Sequence, residues 1–260
     1  MNYCGAIVDL DGTVYRGQSL VSGARRGVEA LRNASVDICF FSNNPTKSRE
    51  AFADRLRGMG LTVAPDEIES AATVTAEYLA AEHATDRIFL VGSSGLRAQL
   101  AEAGLALTDD PVACDVLVAS YDRGFDYDDM TDGLRALETG AAFVGTDPDV
   151  TIPTERGAVP GSGAIINAIA GVAEREPDIV VGKPSERALA AALSGFDAAP
   201  AECLVVGDRL DTDIAMGARG GLETALVLTG TSNRELLAAS DIDPDHVLDS
   251  LGDIERLLDR

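Results

Sequence analysis

The chain has 260 residues, 46% of them hydrophobic, and it carries 43 acidic against 21 basic residues for a formal charge of −22. A surface this acidic repels nucleic-acid phosphates and anionic membranes, and no apolar run approaches the roughly 20 residues of a membrane-spanning helix. The composition therefore predicts a globular, cytoplasmic protein with no nucleic-acid or membrane partner, and it leaves room for a specific homodimer.

Short β-rich runs alternate with amphipathic stretches along the whole chain, which predicts parallel strands joined by crossover helices. The predicted elements, in chain order, are strand 6–9, helix 24–33, strand 36–41, helix 48–58, helix 71–82, strand 88–91, helix 94–103, strand 116–119, helix 127–138, strand 142–145, helix 163–173, strand 179–181, helix 186–195, strand 204–207, helix 214–219, strand 224–228 and strand 247–248.

Nine strands are many for a single open sheet, and polar stretches near 82–86 and 174–178 are suitable places for the chain to cross between domains. We therefore expect a core domain from 1–80 and 178–260, with a smaller α/β domain from 81–177 inserted into it.

The first strand runs directly into two carboxylates and a glycine, Asp9, Asp11 and Gly12. In open α/β sheets, ligand sites form at the carboxyl ends of strands, and a glycine lets the backbone approach a phosphate closely. An Asp-x-Asp-Gly segment also opens calcium loops, but no further acidic ligands follow at the later positions of such a loop. The segment alone leaves both interpretations open.

Two further strands also end in polar residues that could bind phosphate. Ser42 and Asn43 follow strand 36–41 and can donate hydrogen bonds to a phosphoryl oxygen, although an Asn here could simply close a turn. Lys183 follows strand 179–181 and is one of only two lysines, with Lys47, in a chain that otherwise uses arginine. A retained lysine indicates a need for a compact point charge, but a surface lysine is the alternative.

The fourth segment is an apolar strand followed by three closely spaced acids, Asp208, Asp211 and Asp213. Strand-end acids beside a glycine suit a divalent cation with oxygen ligands, whereas a solvated acidic loop is the default in so acidic a chain. Cys203 and Arg209 also have the Cys-x5-Arg spacing of cysteine phosphatases. The strand-like residues between them, and Asp208 itself, oppose a phosphate cradle there.

Taken together and in this order, the four segments resemble the motif set of the haloacid dehalogenase (HAD) superfamily. The branch they resemble is that of the p-nitrophenyl phosphatases and NagD-like proteins, because the acidic pair continues as Gly-Thr-Val-Tyr at 12–15 and the second segment reads Ser-Asn-Asn at 42–44. Segments 122–127, 146–149 and 153–165 are also similar to that branch. The resemblance implies a Rossmann-like parallel-sheet core with an α/β cap domain inserted between the second and third motifs.

The resemblance also implies a magnesium-dependent phosphatase for small phosphate monoesters such as sugar phosphates, nucleotides or p-nitrophenyl phosphate. Asp9 would attack phosphorus to form an aspartyl-phosphate, and Asp11 would protonate the leaving alcohol and then activate water. Ser42, Asn43 and Lys183 would bind the phosphoryl oxygens.

By the same resemblance, Mg²⁺ would bind Asp9, Asp208 and the backbone carbonyl of Asp11, with Asp213 in the outer shell or orienting Lys183. Independent of resemblance, several carboxylates around a phosphate dianion would repel one another, and a cation would relieve that repulsion. Spacing assigns no role to Asp211.

Substrate contacts are expected from cap segments 145–149 and 154–157. Asp11 favours phosphoryl transfer over carbon–halogen cleavage, because dehalogenases lack this second acid. A catalytically idle phosphate- or nucleotide-binding protein on the same scaffold is the remaining alternative. The arginine-rich, acidic composition further resembles that of extreme halophiles, which predicts a chain that is destabilised at low salt.

Overall fold

The computed structural model describes residues 3–154 and 157–258, which form alternating strands and helices. The strands in chain order are β1 Gly5–Asp9, β2 Tyr15–Arg16, β3 Ser19–Leu20, β4 Asp37–Ser42, β5 Ile68–Ser70, β6 Arg87–Val91, β7 Ala106–Thr108, β8 Val116–Ala119, β9 Ala142–Gly145, β10 Thr151–Thr154, β11 Gly157–Pro160, β12 Ile179–Val180, β13 Cys203–Gly207, β14 Glu223–Val227 and β15 His246–Leu248.

The helices are α1 Ala24–Asn33, α2 Arg49–Gly58, α3 Ala71–Glu82, α4 Ser94–Glu102, α5 Tyr127–Glu138, α6 Ser162–Ala173, α7 Glu186–Leu193, α8 Ala215–Gly220, α9 Arg234–Ala238 and α10 Glu255–Leu258. Within the described residues, no helix combines the length and the apolar character needed to cross a bilayer.

The chain divides into two compact units, the first of which contains the residues up to Ser42, residues 49–69 and those from Lys183 onward. Its sheet has the strand order β15-β14-β13-β1-β4-β5, and β1 pairs in parallel with both β13 and β4. Strand β1 is buried along its whole length, as expected for a parallel strand covered on both faces.

The order of these strands also fixes where a site can form. From β1 the chain first extends the sheet through β4 and β5, and later returns to add β13, β14 and β15 on the other side. The direction of winding therefore reverses beside β1. Crevices for ligands form at the carboxyl ends of strands at such a reversal.

The second unit contains residues 43–48 and 70–182. Its sheet has the order β12-β9-β8-β6-β7, and all four of these strand pairings are parallel. Its core includes the buried side chains of Leu117, Phe143 and Ile169. An antiparallel pair, β10 and β11, adds a small separate ribbon. The α/β fold class, a parallel-sheet core with a second unit built on a smaller sheet, is confirmed.

Every predicted strand and helix has a counterpart in the structure, most within one or two residues of the predicted ends. The sequence did not predict the strands β2, β3, β5, β7, β10 and β11, or the helices α9 and α10. These elements have two to five residues, too few for a hydrophobic period to be read. The predicted domain boundaries lie at 80/81 and 177/178, whereas the second unit begins its long segment at Ser70 and ends it at Gly182.

Candidate active site

Strand register brings the predicted site residues to one edge of the first sheet. Asp9 lies level with Phe41 of β4, and its neighbour Val8 lies level with Val206 of β13. Because these strands are parallel, Ser42 and Asp208 follow at the same edge as Asp9. All three polar side chains are buried.

Lys183 lies at the centre of this edge and is 2% exposed. Its Nζ donates to Asp9 Oδ1 at 2.7 Å, to Asp213 Oδ1 at 2.7 Å and to the carbonyl oxygen of Phe41 at 3.2 Å. Burial alone would lower the pKa of this ammonium, but Asp213 and Asp9 outweigh burial and raise that pKa above its ordinary value. Lys183 is therefore a permanent buried cation, and the surface-lysine alternative is wrong.

Three carboxylates share this site. Asp9, Asp208 and Asp213 each place an oxygen within 4.8 Å of the others, and all three residues are buried. Burial raises the pKa of Asp9 well above its ordinary value; Lys183 opposes that rise, while Asp213 and Asp208 add to it. Burial and Asp213 also raise the pKa of Asp208 to about 6. One lysine does not balance this much negative charge.

The residues present fit a hard divalent cation. Asp9 Oδ2 is buried and accepts no hydrogen bond from the described residues, so one oxygen of the predicted nucleophile lacks a polar partner. A buried acceptor without a partner is costly unless something else binds it. Carboxylate oxygens are the protein ligands that Mg²⁺ prefers.

Close approach of the backbone holds Asp208 in place. The backbone N–H of Thr231 donates to Asp208 Oδ2. A Cβ atom added to Gly230 would lie 1.8 Å from that same oxygen, and one added to Gly12, whose φ is +96°, would lie 2.6 Å from it. Only glycine fits at these two positions. Gly12 thus leaves space for the Asp208 carboxylate.

The two later acids of the fourth segment, Asp211 and Asp213, both lie in a π-helical turn, Leu210–Ile214. The backbone N–H of Arg209 donates to Asp213 Oδ2 at 3.1 Å, which turns Asp213 into the site. Asp211 instead forms a two-point ion pair with the side chain of Arg209, and its own side chain is 68% exposed. The structure therefore brings Asp213 to Lys183 and places Asp211 outside the carboxylate cluster.

Asp11 is exposed and lies just beyond β1, outside the cluster of three carboxylates. The hydroxyl of Tyr15 donates to Asp11 Oδ2 at 3.0 Å. The sequence assigned no role to Tyr15, because a tyrosine in a β-rich segment is usually a strand residue.

The predicted phosphate ligands Ser42 and Asn43 are both buried, at 3% and 8% exposure. Ser42 ends β4 in the first unit, whereas Asn43 belongs to the second unit. Asn44 closes the turn that follows, since its Oδ1 accepts from the backbone N–H of Thr46 at 2.9 Å and from its hydroxyl at 2.7 Å. The turn-forming role proposed for an Asn here is thus filled by Asn44.

The cap segment at 145–149 centres on a buried carboxylate, Asp147. It accepts from the Thr146 hydroxyl at 3.1 Å and from the backbone N–H of Asp149 at 3.2 Å. Burial, followed by the charge of Asp149, raises the pKa of Asp147 to about 7. In the other predicted segment, 154–157, Glu155 and Arg156 lie outside the described residues.

The cysteine-phosphatase alternative does not match this geometry. Cys203 is the buried first residue of β13, at the opposite end of that strand from Asp208, and burial raises the pKa of its thiol. A nucleophilic cysteine needs the reverse, a lowered pKa. Arg209 is paired with Asp211.

Comparison with known proteins places the chain in a family. Sequence profiles of the haloacid dehalogenase-like hydrolases and of the HAD-hydrolase-like group match residues 6–106 and 180–254. Sugar-phosphatase AraL of Bacillus subtilis is 34% identical over 253 residues, which cover 97% of this chain and 92% of AraL. The chain belongs to the haloacid dehalogenase-like hydrolase family.

Solved structures of HAD-like hydrolases extend the likeness to the whole fold. The p-nitrophenyl phosphatase from Archaeoglobus fulgidus matches with a TM-score of 0.93 and 38% identity, over 99% of this chain and 100% of that one. NagD from E. coli K-12 matches with a TM-score of 0.88 and 29% identity, over 98% and 99% of the two chains. The predicted family, its branch and the enzyme class, a phosphoric monoester hydrolase, are confirmed.

Proposed function

We propose that this HAD-like hydrolase is a magnesium-dependent phosphatase of small phosphate monoesters that works through an aspartyl-phosphate on Asp9. The observation that carries the proposal is the buried group of Asp9, Asp208, Asp213 and Lys183, in which one oxygen of Asp9 has no hydrogen-bond partner among the described residues.

In the first step an oxygen of Asp9 attacks phosphorus, and the bond from phosphorus to the ester oxygen breaks. Asp11 gives its proton to that departing oxygen. In the second step Asp11, now a carboxylate, takes a proton from water as the water oxygen attacks phosphorus. The bond between Asp9 and phosphorus breaks, which releases inorganic phosphate and restores both acids.

Lys183 has two roles in this scheme. Its ammonium holds Asp9 Oδ1 in a fixed orientation, which directs the attacking carboxylate, and its charge offsets the negative charge that gathers on the phosphoryl oxygens. Asp213 holds Lys183 from the other side. We assign Ser42 and Asn43 to the phosphoryl oxygens as hydrogen-bond donors.

Mg²⁺ would be held by Asp9, Asp208 and the backbone carbonyl of Asp11, and when bound it supplies positive charge to the phosphoryl oxygens. Burial and the neighbouring carboxylates raise the pKa values of Asp9 and Asp208, and a bound cation would favour the ionised form of both.

We propose sugar phosphates as the leading substrate class, because AraL and the acid sugar phosphatases of staphylococci are similar to this chain over more than 90% of its length. The segments at 145–149 and 154–157 remain the proposed substrate contacts of the cap. We also propose a cytoplasmic location, a homodimer and a high-salt habitat. The acidic composition supports the high-salt habitat.

The test is release of inorganic phosphate from p-nitrophenyl phosphate and a panel of sugar phosphates and nucleotides, in molar KCl, with and without Mg²⁺. Asp9→Asn should abolish release. Asp211→Asn is the matched control, because it neutralises an exposed acid of the same domain outside the carboxylate cluster, and it should retain activity. A rise in melting temperature with Mg²⁺ in wild type should persist in Asp211→Asn.

The competing function is a catalytically idle phosphate- or nucleotide-binding protein on the same scaffold. It predicts that folded wild type protein gains thermal stability from phosphate or a nucleotide but releases no phosphate from any ester at any Mg²⁺ or salt concentration. That result would replace the phosphatase proposal.

A further inference from the structure

Tyr15 is fully buried, and it lies where the chain folds back against the loop that carries Asp11. The backbone N–H of Gly12 donates to the Tyr15 carbonyl at 2.8 Å, and the backbone N–H of Tyr15 donates to the Leu10 carbonyl at 3.1 Å. Tyr15 itself is 0% exposed, whereas Asp11, between these anchors, is exposed. The tight loop places the tyrosine side chain directly beside the Asp11 carboxylate.

The tyrosine ring is held on its other side as well. The Arg55 guanidinium lies 4.0 Å from the ring centroid, and the same group donates to the Gly17 carbonyl at 2.5 Å. A cation stacked on an aromatic face is stabilising, and here it also restrains the ring. The Tyr15 hydroxyl is therefore a donor with a fixed position, 3.0 Å from Asp11 Oδ2.

An exposed aspartate on a loop would otherwise sample several rotamers, at a cost in entropy each time it adopts one of them for reaction. A hydrogen bond from a rigid donor removes that freedom. Since the hydroxyl donates to Oδ2, the proton that Asp11 delivers to the leaving group resides on Oδ1. The bond thus selects both the orientation of the acid and the oxygen that carries its proton.

We propose that Tyr15 is a positioning residue for Asp11, holding the general acid in the orientation that protonates the leaving oxygen. The inference rests on the proposed phosphatase function and deepens it. No atom of Tyr15 takes part in bond making or breaking. The proton passes from Asp11 Oδ1 to the ester oxygen as that oxygen leaves phosphorus and an oxygen of Asp9 binds to it.

A poorer leaving group gains more from protonation by a general acid, so the loss of rate in a Tyr15 variant should depend on the leaving group. p-Nitrophenolate leaves readily without a proton, whereas phenolate is a poorer leaving group of nearly the same size and benefits more from protonation. Tyr15→Phe should lower kcat/KM for phenyl phosphate by roughly tenfold and change kcat/KM for p-nitrophenyl phosphate by less than about threefold. The parameter kcat/KM is used because it reports the first chemical step and not the hydrolysis of the intermediate.

Tyr3→Phe is the matched control, because Tyr3 is another buried tyrosine of the same hydrophobic core, just before β1. It should leave the ratio of the two kcat/KM values unchanged. Arg55→Met, which keeps the Tyr15 hydroxyl but removes the cation from its ring, should shift the ratio in the same direction by a smaller factor. It serves as the second variant if Tyr15→Phe folds poorly in a thermal melt.

Equal losses on both substrates in Tyr15→Phe, or the same ratio change in Tyr3→Phe, would overturn the positioning role and leave Tyr15 as a structural residue. Failure of the phosphatase proposal gives a different result, since wild type protein would then hydrolyse neither substrate.

Discussion

At the scale of single residues, the site depends on one buried cation between two acids. Lys183 is 2% exposed and donates to Asp9 and to Asp213 at 2.7 Å each. The cost of burying these charges is offset only while all of them are present, so removing the lysine leaves two buried carboxylates without their cation. The chain otherwise uses arginine almost throughout, and a planar guanidinium could not replace this compact ammonium without displacing its neighbours.

Lys183→Met should therefore cost about 3 kcal/mol or more in the free energy of unfolding, measured by urea denaturation at neutral pH, and should abolish phosphate release. Lys47→Met, which changes the other lysine of the chain, should shift the same free energy by less than about 0.5 kcal/mol. Equal stability of the two variants would mean that Lys183 does not balance the charge of Asp9 and Asp213.

At the scale of elements, the ends of β1, β4 and β13 set the positions of Asp9, Ser42 and Asp208. Glycines in the connecting loops let the backbone approach Asp208 closely. Gly230 follows β14 by a few residues, and any side chain there would collide with Asp208 Oδ2. The backbone of the loop after β14 is therefore part of the carboxylate site.

Gly230→Ala should displace Asp208 and so lower the affinity for Mg²⁺ by roughly 10- to 100-fold, measured as the Mg²⁺ concentration that gives half of the rise in melting temperature. Gly171→Ala is the control, since a Cβ there meets no atom within 4 Å and Gly171 lies inside α6. That change should be neutral or stabilising by up to about 1 kcal/mol. Unaltered Mg²⁺ affinity in Gly230→Ala would contradict the placement of Asp208.

Asp147, which follows β9, makes the second unit sensitive to pH. Its pKa of about 7 in the folded chain lies above its ordinary value, so the folded state holds a proton that the unfolded state has lost. The contribution of Asp147 to the free energy of unfolding therefore falls as pH rises from about 4 to about 7, and it is constant above that range. Asp147→Asn should flatten this slope and stabilise the protein at pH 8 by roughly 2 kcal/mol.

The Asn side chain can still accept from the backbone N–H of Asp149, and its amide can donate to the Thr146 hydroxyl, so the substitution keeps a hydrogen bond with each of these two partners. Thermal melts of both proteins across this pH range provide the measurement. A mutant that is less stable than wild type at pH 8 would show that the Asp147 carboxylate is ionised and stabilising.

The placement of Asp9, Ser42, Lys183 and Asp208 at one edge of a sheet could be predicted from the sequence, because a largely apolar strand leads to each of them. The rest depends on local geometry that spacing does not encode. Asp211 and Asp213 are two aspartates in the same short segment, and the sequence does not show which of them enters the site. The π-helical turn places Asp213 beside Lys183. The role of Tyr15 depends on a loop that folds back on itself. Tyrosine favours strands, so the residue type gives no indication of this loop.

At the scale of the whole molecule, the net charge determines how stability depends on salt. With a net charge of −22 and the basic groups outnumbered two to one, the folded chain repels itself more strongly than the expanded one. Salt screens this repulsion, since the Debye length shortens from about 10 Å at 0.1 M to about 3 Å at 1 M. The acidic excess is spread along the chain, so no single substitution should remove the effect.

The melting temperature should rise between 0.1 M and 2 M KCl by at least about 5 °C, which corresponds to roughly 2 kcal/mol for a chain of this size. KCl is preferred to sulfate because sulfate stabilises most proteins by exclusion from their surface. A melting temperature independent of KCl would contradict both the self-repulsion and the proposed high-salt habitat.

Phosphorylation of Asp9 during turnover distinguishes the proposed mechanism from direct attack of water on phosphorus. The most direct measurement is acid quenching of the enzyme during hydrolysis of p-nitrophenyl phosphate, followed by mass spectrometry of the peptide that contains residues 5–13. We predict a phosphoryl group on Asp9 in wild type, and none in Asp9→Asn. Asp11→Asn should hydrolyse the intermediate more slowly and so accumulate it. If wild type turns over the substrate but neither wild type nor Asp11→Asn carries a phosphoryl group on that peptide, water attacks phosphorus directly and Asp9 is not the nucleophile.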